Sequence, residues 1–142
     1  MLNFETLRAA GNSLNEHNDC AVIAVAAATN TPYETVHALM KKNGRRTRGK
    51  TFFRTIEKTV SDLGFKLNKV NPFYMVSKYA PKSTYVTMNH FEKYPSMFEG
   101  RTWMAWVSGG GHVAAVVNNK VEDWSKGRSF RVSNLYAVEK AS

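Results

Sequence analysis

The chain has one cysteine among its 142 residues, so it has no internal disulfide. Its first residues, Met1-Leu2-Asn3-Phe4-Glu5, lack the basic-then-apolar layout of a secretory leader. The two absences together suggest a protein of the reducing cytoplasm. A long hydrophobic run is missing too. The longest, Ala21 to Ala28, falls far short of the roughly 18 residues of a membrane span, so no membrane insertion is expected. No Cys-x-x-Cys or His-Glu-x-x-His spacing is present, which argues against a metal site, and no spacing implies a cofactor. The glycine cluster Gly109-Gly110-Gly111 has neither the spacing nor the following helix of a phosphate loop. Helix-turn-helix, zinc-finger and RNA-binding aromatic signatures are also lacking. Acidic residues are scarce, 11 against 20 basic, and most fall at helix caps or on helix faces, which leaves paired-carboxylate hydrolysis poorly supported.

The rest of the composition describes a single domain. A chain of this length hides roughly two thirds of its unfolded surface, enough for a core without staples. The net charge of +9 is unevenly spread, because Lys41, Lys42, Arg45, Arg46, Arg48, Lys50 and Arg54 lie within fourteen residues that hold no acid. Such a run attracts an acidic protein or a nucleic acid with an affinity that falls with salt; the plainer reading is a solvated loop. Phe52 and Phe53 beside it are expected to enter the core.

The first half reads as helices. Asn18 and Asp19 can cap a helix over 20–28 that is apolar all round and therefore central. Thr31-Pro32-Tyr33-Glu34 reads as a capping box for a second helix stopped by Gly44. Thr51 can cap a third, whose Phe52, Ile56, Val60 and Leu63 share a face and which stops at Gly64. A short strand follows over 65–70, and segments 72–79 and 87–94 suit short helices. The period then changes: 102–107, 112–117, 120–124 and 130–138 read as antiparallel strands, which makes the class α+β.

Cys20 falls at the first turn of the buried helix, where unpaired amides and the helix dipole favour a thiolate. A core cysteine is the plainer alternative, but it would suit the middle of the helix equally well. Among four histidines, His112 is the candidate base, because it opens a strand directly after the flexible Ser108-Gly109-Gly110-Gly111. His17 is expected to face solvent or shape the pocket rim, and His37 and His90 to lie on helix surfaces. If Asn118-Asn119 form a two-residue hairpin turn, Ala114 falls opposite Asp123. That makes Asp123 the diagonal neighbour of His112 on one face, with Glu122 on the other. A carboxylate there orients the imidazole and stabilises its cation; a register slip of one residue would remove it. Trp103, Trp106 and Trp124 read as core or cleft-wall residues.

With Asn18-Asp19-Cys20-Ala-Val-Ile-Ala, Pro32-Tyr33-Glu34-Thr35-Val36, Ser108-Gly-Gly-Gly-His112-Val-Ala-Ala-Val-Val and Asp123-Trp124 in this order, the sequence resembles the small papain-like cysteine peptidases of phages and mobile elements. The likeness runs from Asn18 to Trp124. It implies a papain-like α+β fold in which an N-terminal helical lobe supplies Cys20 and packs on a C-terminal antiparallel sheet supplying His112 and Asp123. It also implies a thiol peptidase without cofactor that acts on a protein or peptide in the host-cell cytoplasm, or as part of a virion. The oxyanion would be held by the Cys20 amide and a side-chain donor. The family usually has glutamine six residues before the cysteine, where this chain has Leu14, so the nearest amides, Asn15 first and Asn18 second, are the oxyanion candidates. The alternative is a catalytically weak or inactive scaffold that binds an acidic protein or nucleic acid through Lys41, Lys42, Arg45, Arg46, Arg48 and Lys50.

Overall fold

A computed structural model describes residues 2–72, 85–98, 100–107 and 111–141. Helix α1 (Phe4–Ser13) opens at Asn3, whose side chain accepts the Thr6 amide at 2.9 Å, with Glu5 in the first turn against the helix dipole. Helix α2 (Cys20–Thr29) is buried from Ala21 to Thr29 and ends at Asn30 in the left-handed region. Helix α3 (Tyr33–Lys42) buries Tyr33, Val36 and Met40, and α4 (Phe53–Asp62) buries Thr55, Ile56, Thr59 and Val60. Both stop where glycine permits positive φ, at Gly44 (111°) and Gly64 (85°).

The helices lie where their apolar spacing puts them, but their caps differ from the expected ones. Asp19 occupies the cap position of α2 without capping it, because Arg8 and Tyr33 take its carboxylate. The capping box before α3 does not form; Pro32 precedes the first turn, and the Thr31 hydroxyl bonds Thr29. Helix α4 starts one residue later than read, after an uncapping Phe52, and the Thr51 hydroxyl is buried without a hydrogen-bond partner. Phe53 stacks on Trp106 and meets Tyr136 edge-on, whereas Phe52, expected in the core, is 74% exposed. Helix α1 was not read from the sequence.

Strands β1 (Phe65–Val70), β2 (Trp103–Val107), β3 (His112–Val117), β4 (Lys120–Glu122) and β5 (Val132–Lys140) form one antiparallel sheet in the order β1-β5-β2-β3-β4. Asn118 and Asn119 turn the β3–β4 hairpin at φ 51° and 65°, and the pairs Val117–Lys120, Val116–Val121 and Ala115–Glu122 follow, in the register a two-residue turn demands. β4 ends at Glu122, so Asp123 lies just past the strand. Of the two short helices expected later in the chain, 72–79 lies almost wholly outside the described residues. The other contracts to α5 (His90–Lys93), followed by a 3-10 turn at Pro95–Met97.

Each face of the sheet is covered. On one, Met104, Trp106, Val113, Ala115 and Val138 pack with α2 and with residues of α1, α3 and α4. On the other, Trp103, Ala105, Ala114, Val116, Leu135 and Ala137 pack under Val86, Met88, Phe91 and Phe98. The alanines of α2 meet Ala115 of β3, and these small side chains let helix and sheet approach closely. That close packing sets the start of α2 against the start of β3. No helix among the described residues is long and apolar enough to cross a membrane.

Candidate active site

Cys20 is the first residue of α2, and the His112 ring and the Val113 amide at the start of β3 are the groups that act on its thiol to favour the thiolate. His112 uses Nε2 for Asp123 Oδ2, at 2.8 Å, which leaves Nδ1 as the nitrogen for the thiol. Asp123 is itself held from behind. Its Oδ2 accepts the Ser125 amide at 3.0 Å and the Ser125 hydroxyl at 2.5 Å, a local turn that fixes the carboxylate once the strand has ended. Ser125 was missed in the sequence, where Asp-x-Ser was the available signal. Trp124 lies between the two, half exposed, with its ring centroid 4.9 Å from that of His112 and its far side against Phe130. It screens the imidazole from bulk water, which strengthens the electrostatics beneath it.

Burial works against charge on both partners, and their mutual contacts override it. Desolvation pushes the Cys20 thiol up, but the His112 hydrogen bond, the Val113 amide and the imidazolium charge bring it below its usual value, against a smaller opposing push from Asp123. Desolvation pushes His112 down, but the hydrogen bonds to Asp123 and Cys20 and their charges raise it to about 9. Both shifts favour a thiolate beside an imidazolium over the neutral pair.

The thiol stands midway along a groove. Asn18, Cys20, Gly111 and His112 line both a cleft of about 350 Å³, which continues to Thr51, Ile56 and Trp106, and a second cleft walled by Phe4, Arg8, Asp19 and Trp124. Past Lys50, Thr51 and Trp106 the first cleft runs into a recess lined by Phe52, Phe53, Asn134 and Tyr136. Asn18 therefore borders the nucleophile, with Nδ2 donating one hydrogen bond to the Arg48 carbonyl at 3.2 Å. Asn15, preferred from the sequence, is exposed in the α1–α2 turn at φ 54° and lines none of these clefts; Leu14 closes α1 and is also exposed. Of Ser108 to Gly111, only Gly111 is described.

The segment before Cys20 is tied down by a network that was not read from the sequence. Glu16 is buried and accepts Arg45 through both guanidinium nitrogens at 2.9 and 3.1 Å, His37 Nε2 at 2.6 Å and the Arg48 amide at 2.8 Å. Burial alone would raise the Glu16 carboxyl, but these donors hold it down, at about 2. Asp19 accepts Arg8 at 2.8 Å and the Tyr33 hydroxyl at 2.8 Å. Burial, that hydrogen bond and the nearby carboxylates push the Tyr33 phenol far above its usual range. Two anchored carboxylates thus bracket His17 and Asn18 and deliver the chain into α2.

Several expectations change accordingly. Arg45 is buried in the Glu16 pair and is unavailable to an acidic partner, whereas Lys41, Lys42, Arg46, Arg48 and Lys50 are exposed. His37 is part of the Glu16 network and not a bare surface residue. His90 is buried, with Nδ1 accepting the Thr87 amide at 3.0 Å, and burial and Lys93 lower its pKa. His17 is exposed as read. Among the described residues, no three His, Cys, Asp or Glu side chains are grouped as a metal ion requires.

Comparison with family models, with curated proteins and with solved structures finds no match for this chain. The functional reading therefore rests on the site itself.

Proposed function

We propose that the protein is a papain-like thiol hydrolase that cleaves a peptide or isopeptide bond through a thioester. The observation that carries this reading is the alignment of Cys20, His112 and Asp123 at the junction of helix and sheet, with the thiol lowered and the imidazole raised. In this mechanism His112 takes the thiol proton, and the thiolate attacks the amide carbonyl. The C–N bond then breaks as the imidazolium protonates the departing amine, leaving an acyl thioester. Water, deprotonated by His112, attacks the thioester and releases the acid and the thiol. The Cys20 amide at the open end of α2 faces the developing oxyanion, and Asn18, at the cleft, is the side chain placed to assist it in preference to Asn15. Asp123 holds the ring and stays ionised.

The test is the rate of Cys20 alkylation by iodoacetamide against pH, in the wild type and in His112→Ala. The wild type is expected to react well below pH ~7.5, and the variant only near the ordinary thiol value of ~8.5. An ordinary titration in both proteins would remove the nucleophile and sink the proposal.

A further inference from the structure

Two features of the groove are not explained by folding. Phe52 is 74% exposed, yet it lines the recess beyond the thiol with Phe53, Trp106 and Tyr136. An aromatic ring left in water contributes nothing to the core and is held ready for an apolar contact. Next to it, Lys50 is exposed and lines both the cleft at Cys20 and the aromatic recess. Arg48, whose carbonyl is tied to Asn18 beside the nucleophile, is exposed as well. Of the acids nearby, three point inward, Glu16 to Arg45 and His37, Asp19 to Arg8 and Tyr33, and Asp123 to His112, while Glu57 is exposed and acts on Tyr136 at the far wall of the recess.

We propose that Lys50 and Phe52 select the substrate, an acidic polypeptide segment that places a bulky apolar side chain in the Phe52 recess and a carboxylate against Lys50. This rests on the hydrolase reading and names its substrate class. A polypeptide is favoured over a nucleic acid because the recess opens onto the cleft of an amide-directed nucleophile and offers pairs of edge-on and stacked rings suited to a single inserted side chain. Electrostatic steering adds speed to encounter and falls with salt, whereas the recess contributes a salt-independent preference.

The experiment is digestion of a randomised peptide library by the full chain, with cleavage sites read by mass spectrometry, for the wild type, Lys50→Glu and Phe52→Ala. Both side chains are exposed, so neither substitution threatens the core. The wild type is expected to enrich Asp or Glu and a large apolar residue at fixed offsets from the cut bond. Lys50→Glu should reverse the charged preference to Lys or Arg, changing the acidic-to-basic ratio by about fivefold to tenfold. Phe52→Ala should reduce the apolar enrichment by about fivefold and leave the charged one in place. Cleavage with no charge or apolar preference, or preferences unmoved by the substitutions, overturns the inference while the hydrolase reading stands. No cleavage by a wild type whose Cys20 also titrates ordinarily overturns both. Stronger inhibition of library cleavage by oligothymidine than by polyglutamate of equal length reassigns the rim to nucleic acid and overturns the inference as well.

Discussion

His112 is raised chiefly by its hydrogen bond to Asp123, and Cys20 is lowered chiefly by His112, so the pH range of the proposed hydrolysis is a property of single side chains. The competent state is thiolate with imidazolium. Turnover should rise as Cys20 loses its proton below the usual thiol range and fall as His112 deprotonates near pH 9. Asp123→Asn removes the anion that raises the imidazole, so the alkaline limb should move to lower pH, with a rate loss smaller than that of His112→Ala. An unmoved limb in a kcat/KM profile would mean that Asp123 does not act on the ring. Ser125→Ala should cost activity more mildly, about threefold to tenfold, since it loosens Asp123 without removing its charge.

Which of these residues could be read in advance follows from the reach of local rules. The His112–Asp123 pairing was legible because positive φ at Asn118 and Asn119 fixes the turn, and the turn fixes the register. Glu16 and Arg45 are 29 positions apart, and nothing in a charge run tells which guanidinium will leave the surface for a buried carboxylate. Asn15 and Asn18 look alike in sequence; only the turn between α1 and α2 sends one to the cleft and the other to solvent.

At the scale of elements, α2, α3 and α4 were visible from apolar spacing and glycine stops, while their caps were not, because tertiary partners outbid them for Asp19 and Thr31. Helix α1 escaped notice because its fully buried stripe is only Leu7 and Gly11. Gly11 is the informative position. A Cβ there would fall 2.5 Å from Asp19 Oδ2 and 3.1 Å from the Tyr33 hydroxyl, so the missing side chain is what lets α1 pack on the anchored carboxylate. Inside a helix, alanine is favoured over glycine by about 1 kcal/mol. Here the intrusion should outweigh that gain, since overpacking costs about 1–3 kcal/mol and a disturbed buried ion pair adds to it. Gly11→Ala is expected to lower stability in urea unfolding by about 1–2 kcal/mol, and a stabilised variant would show that α1 is not pressed against Asp19. Arg45→Met should cost more, about 3 kcal/mol, because it strands the Glu16 carboxylate without its bidentate partner.

Across the whole molecule, the α+β division was legible from the change of hydrophobic period. The strand order was not, because the insertion of β5 between β1 and β2 joins segments more than twenty residues apart that local pattern cannot order. The division has a functional consequence: the thiol belongs to the helical layer and its base to the sheet. Their meeting depends on how closely α2 lies on β3, and Ala115, fully buried between them, sets that separation. Ala115→Leu should be accommodated by lifting α2 from the sheet, with a stability loss of about 1–3 kcal/mol. The lift parts Cys20 from His112, so the thiol should return toward its ordinary titration and turnover should fall by more than the lost stability explains. Leu135→Ala opens a cavity on the opposite face of the sheet and should cost about 2–5 kcal/mol. It should leave the Cys20 titration where it is. Alkylation profiles of the two variants, alongside their unfolding curves, separate a site built by layer packing from one that merely suffers when the fold weakens: parallel shifts in both variants would reject the layered account.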